Sequence, residues 1–159
     1  MATVIVALLG LVVAPPAPAA PPDSAAVSVV FAHELAARSP THDGAPLRRY
    51  VLQDLDNDAR FEVLEYVSAF EDAPGFMNVE LGGAFEWVNV HALGDNGFEE
   101  RTAAYRGFLM QRKELYLFWL RVLKSPDVLS ADSRGLVAAN KEKFLVILRD
   151  YLRRIEALQ

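Results

Sequence analysis

Residues 48–53 (RRYVLQ), 54–60 (DLDNDAR) and 61–70 (FEVLEYVSAF) form the stretch whose reading decides the fold. The first segment is short and β-compatible, and it feeds straight into a loop dense in carboxylates. The third segment reads two ways. At period two, Phe61, Val63, Val67 and Ala69 share a face that Glu65 interrupts; at helical period, Val63, Leu64, Val67 and Phe70 share a stripe. Its β-branched and aromatic content favours a strand. The unit is then strand–loop–strand, and it predicts an α+β fold built around a small antiparallel sheet of about four strands.

Within the loop, Asp54, Asp56 and Asp58 occupy alternate positions one, three and five. Arg60 at position seven can offer its backbone carbonyl. Glu62 follows at position nine and Glu65 at position twelve. Calcium takes six to eight oxygens, largely carboxylate and carbonyl, in a flexible shell. One tight loop supplies several of them only when alternate side chains turn inward, as this spacing allows. The spacing of acids, with Glu65 at position twelve and Phe61 at position eight, resembles an EF-hand loop. The run V-L-Q-D-L-D-N-D-A-R-F-E-V-L also resembles the calcium element of FG-GAP and VCBS-type repeats, in which a strand enters and a strand leaves. That resemblance covers residues 50–65 in a single copy. It implies calcium as the cofactor, with Asp54, Asp56, Asp58 and Glu62 as ligands and Arg60 contributing its carbonyl; Glu65 is a ligand only in the EF-hand version. Both patterns favour glycine where this chain has Asn57 and Ala59, so a weak or structural site is expected.

Downstream, residues 76–81 and 84–92 alternate around Gly82-Gly83 and predict a two-residue hairpin. In that register Met77, Val79, Leu81, Val88 and Val90 share one face. Asn78, Glu80, Phe85, Trp87, Asn89 and His91 share the other, which is expected to be half covered by a helix. Gly94-Asp95-Asn96-Gly97 is read as the end of the β region. From Glu99 the periodicity turns helical: Tyr105, Phe108, Leu109, Leu115, Trp119, Val122 and Leu123 fall at three- and four-residue steps. Ser125-Pro126-Asp127 starts a new turn, and Ser130 or Asp132 is placed to cap a last helix running to about Leu158. Its stripe is Val137, Phe144, Leu148, Tyr151, Ile155 and Leu158. The two helices predict a C-terminal antiparallel hairpin packed on the sheet. Upstream, Val27, Val30, Phe31 and Leu35 predict a short N-terminal helix from Ser24 to about Arg38, stopped by Ser39-Pro40 and followed by a turn-rich loop at 41–46.

The 159 residues, 52% hydrophobic and 23% charged, suit one globular domain. Residues 4–13 (VIVALLGLVV) are an apolar run too short to span a bilayer, followed by Ala17-Pro18-Ala19, a small-x-small cleavage pattern. Residues 1–19 therefore read as a secretory signal peptide, although no Lys or Arg precedes the run, and 20–159 as a single secreted or periplasmic domain. The chain has no cysteine, which excludes disulfides, thiol catalysis and thiolate metal sites. The net charge of −5 conceals a split: residues 1–100 carry 4 basic and 15 acidic side chains, and residues 101–159 carry 12 and 6. The basic residues alternate with acids along the last helix, the pattern of a solvated face, so neither nucleic acid nor membrane is an expected partner. No G-x-S-x-G, H-E-x-x-H, P-loop or dinucleotide fingerprint occurs. The expectation is a binding or interaction module of unknown partner. The alternative is a periplasmic hydrolase or hydrolase inhibitor using the mixed face around Trp87, Asn89 and His91.

Overall fold

The computed structural model describes residues 24–158, so the expected leader at 1–19 lies outside the described residues. The described residues begin with helix α1, Ser24–Arg38, ending at Ser39-Pro40 as its sequence demands. A short ribbon follows, β1 (Thr41–His42) and β2 (Ala45–Pro46), turned by Asp43 and Gly44 at φ 50° and 79°.

The main sheet is an antiparallel meander of β3 (Arg49–Gln53), β4 (Glu62–Ser68), β5 (Glu86–Gly94) and β6 (Gly97–Glu100), in that spatial order. Within residues 61–70, Glu62–Ser68 thus form a strand, with the alternation that period two requires. In the register, Leu64 pairs with Val51 on one side and Val90 on the other, while Glu65 pairs with Tyr50 and Asn89. One sheet face carries Val51, Leu64, Tyr66, Val88 and Val90, packed with Leu55, Tyr105 and Phe108. The opposite face carries Glu65, Trp87, Asn89 and His91.

The glycine-pair hairpin is not formed. Residues Val79–Gly82 make helix α2, and Gly83–Phe85 continue it as a 3-10 turn. Asn78 starts the helix by accepting the Leu81 N–H at 3.0 Å on its side-chain oxygen. Leu81 is buried and Val79 fully exposed, so the alternation of Met77, Val79 and Leu81 does not mark a sheet face. The hairpin lies instead at Gly94–Gly97, where β5 turns into β6 through Asp95 and Asn96. Gly97 at φ 116° supplies a backbone conformation that side-chain-bearing residues avoid. Glu99 and Glu100 consequently belong to a strand, and the helix expected from Glu99 begins later.

That helix, α3, spans Arg106–Lys124, and α4 spans Ala131–Ala157. Ser130 caps α4 by accepting the Ser133 N–H, and Asn140 kinks it at φ −130°. Glu80 of α2 reaches the same terminus, accepting from the hydroxyls of Ser130 and Ser133. The helices run antiparallel, with Lys113 opposite Glu156 and Tyr116 against Tyr151. They bury Leu109, Tyr116, Leu123, Phe144, Leu148 and Ile155 against Phe70, Leu81, Ala84 and Phe85. The helical hairpin thus packs on the sheet through residues 70–85 and through Trp87 of β5, whose ring meets that of Tyr151 at 5.7 Å. Two hydroxyls tie the junction: Tyr116 donates to the Glu86 carbonyl at 2.7 Å and Tyr151 to the Phe85 carbonyl at 3.1 Å. Among the described residues no helix is long and apolar enough to cross a membrane.

Candidate functional site

The turn from Asp54 to Arg60 joins β3 to β4, and its shape follows from its own carboxylates. Asp54 accepts the Asn57 N–H at 2.7 Å and the Ala59 N–H at 3.1 Å, one on each oxygen. Asp58 accepts the Arg60 N–H at 2.8 Å. Such side-chain-to-backbone bonds are how aspartate holds a tight turn. They keep Asn57 at φ 62° and Ala59 at φ 65°, both left-handed. These are the two positions where the calcium-loop patterns favour glycine.

The result is convergence. Asp54, Asp56 and Asp58 each present an oxygen, and the three lie within 4.8 Å of one another. Oxygens sharing a calcium shell of radius about 2.4 Å can be at most about 5 Å apart, so the cluster can hold a metal ion. The Arg60 guanidinium approaches Asp58 at 3.9 Å. Glu62 is buried, accepts the Leu55 N–H at 2.8 Å and bonds the Tyr105 hydroxyl. Burial pushes its carboxyl pKa up, against the pull of those donors. Glu62 thus braces the loop from behind, tying its entry to the start of α3.

Glu65 lies on the other sheet face, as strand alternation requires. It accepts from Arg48 at 3.0 Å and from Asn89 at 3.0 Å, and meets His91 Nε2 at 3.1 Å. The bond to His91 leads in holding its carboxyl down at about 2, with Asn89 and Arg48 adding to it. Arg48 also forks onto Glu71 at 2.7 and 3.1 Å, pinning the segment after β4. Trp87 Nε1 donates to Asn89 Oδ1 at 2.9 Å, so the row Trp87–Asn89–Glu65–His91 is a continuous polar chain. Phe31 of α1 covers His91 edge-on at 5.6 Å and stacks on Phe98 at 4.3 Å. No protein-family model, curated protein or solved structure matches this chain.

Two functional groups lay beyond sequence reasoning. Arg48 read only as the start of a strand, and Tyr105 only as a member of a helical stripe. Both are recruited by partners 17 and 43 residues distant in the chain, which no local pattern carries. For Arg48, a buried-face glutamate in an otherwise apolar alternation was the available signal, since such a carboxylate requires a partner.

Proposed function

We propose that this chain is a small exported protein whose Asp54–Glu62 turn takes up calcium as a structural brace, in a domain that acts as a binding module. The convergence of the Asp54, Asp56 and Asp58 oxygens carries this reading. The strand-in, strand-out flanks support the FG-GAP-like form of the loop over the helix-flanked EF-hand form. In that form Glu62 closes the shell by exchanging the Leu55 N–H for the ion, and Arg60 lends its carbonyl. The cation offsets the mutual repulsion of three neighbouring carboxylates, so binding raises stability by mass action, about 2.7 kcal/mol at a hundredfold excess over Kd. Export rests on the apolar run and cleavage pattern within residues 1–19.

Thermal melts in calcium, magnesium and chelator test the reading. Calcium is expected to raise Tm by several degrees, magnesium by less, and Asp56→Ala to abolish the rise. Superimposable melts in calcium and chelator would sink it.

A further inference from the structure

At the far end of β4, about 20 Å from the acidic turn at ~3.3 Å per residue, the sheet and α4 enclose a cleft of 460 Å³. Its apolar walls are Val67, Ala69, Val146 and Ile147, and Trp87 with Asn89 forms the floor. A second hollow of 300 Å³ shares Trp87, Asn89 and Arg154 with the first, so Arg154 stands at the boundary between the two. This volume and mixed lining fall in the range of small-molecule sites. We propose that the cleft binds a small molecule bearing one carboxylate on an apolar body, anchored by Arg154.

The charges around the cleft select this class. Arg48 is neutralised by Glu65 and Glu71. Asp150 is paired with Arg153 at 3.1 Å. Arg154 remains: its Cζ lies 4.0 Å above the Trp87 ring, and among the described residues no carboxylate lies within ion-pairing distance of it. Stacking on the indole orients the guanidinium and leaves its N–H fork for an acceptor. A carboxylate matches that fork with two parallel hydrogen bonds. With one uncompensated cation, and Asp150 and Glu100 on the rims, a monoanion is favoured over a doubly charged phosphate. The apolar walls take the remainder of the ligand.

The inference is independent of the acidic turn, and the test is run both in calcium and in chelator to keep the two apart. Trp87 emission is followed in a Trp119→Phe background of the full chain, which leaves Trp87 as the sole indole. The probes are hexanoate, hexanamide, hexylamine and inorganic phosphate. Hexanoate is expected to give a saturable change whose Kd rises about tenfold or more in Arg154→Gln, and less in Arg154→Lys, which keeps the charge and loses the fork. The amide and the amine should bind at least about tenfold more weakly than hexanoate. Arg154 is exposed, so both variants should melt with the parent; if Arg154→Gln does not, the probe series on the parent decides. Absence of a saturable signal, equal affinity for hexanoate and hexanamide, an unchanged Kd in a folded Arg154→Gln, or preferential binding of phosphate would each overturn the proposal.

Discussion

Ala59 at φ 65° occupies a region where a Cβ crowds the backbone at a cost on the order of 1 kcal/mol. Two neighbouring carboxylates hold it there. Ala59→Gly removes the strain, so the folded chain should gain up to about 1 kcal/mol, which urea titrations in chelator check. A loss of stability instead would mean that Ala59 bears no strain in the turn. Glu65 contributes to the acid sensitivity of the fold. Its folded pKa of about 2 lies below the reference of 4.5, so its contribution is fully present above pH 4.5 and is lost as pH falls toward 2. By linkage this is worth on the order of 3 kcal/mol at neutral pH. Glu62 acts in the opposite sense, because burial raises its pKa and its contribution fades as pH rises through that value. Urea titrations of Glu65→Gln and the parent across pH 2–6 separate the two. The variant should be less stable at pH 6 and should lose little more on acidification.

At the scale of elements, the glycines distinguish the fold observed from the one its alternation suggested. A Gly82-Gly83 hairpin would suffer from side chains at both positions. In the helical segment Gly82 and Gly83 take φ −51° and −65°, and an added Cβ meets nothing within 4 Å. Gly82→Ala should therefore stabilise by about 0.5–1 kcal/mol, whereas Gly97→Ala, forced to φ 116°, should destabilise by about 1–3 kcal/mol. Denaturant midpoints read both signs. The elements legible in the sequence were those whose pattern is local. Ser39-Pro40 closes α1, Val137 through Ile155 set the α4 stripe, and Ser130 caps it. Asp54, Asp56 and Asp58 were legible because their spacing is itself the chemistry. The segment at 76–85 misled because Met77, Val79 and Leu81 alternate by coincidence. Its helix is held by Asn78 at one end and, through Glu80, by Ser130 and Ser133 some fifty residues on.

In the whole molecule, the buried apolar residues form two clusters. The sheet cluster centres on Leu64, Val88 and Val90, and the helical one on Phe144, Tyr116 and Leu148. Phe85 belongs to the helical cluster and stands just before β5: its ring packs on Phe144 at 4.6 Å, and its carbonyl accepts from the Tyr151 hydroxyl and from the Ala69 N–H that follows β4. Phe85→Ala should cost about 3–5 kcal/mol, and hydrogen exchange should show the helical hairpin and the sheet losing protection together. Protection lost from one half alone would mean that Phe85 does not couple the two. The meander order of the sheet has a kinetic consequence. Each strand pairs with its neighbour in sequence, and α3 with α4, whereas the contacts that dock the helices on residues 70–85 close loops of fifty residues and more. The sheet and the helical hairpin can therefore each form early, and their docking is the slower, non-local step. With no cysteine to oxidise, neither disulfide formation nor reshuffling can slow this one.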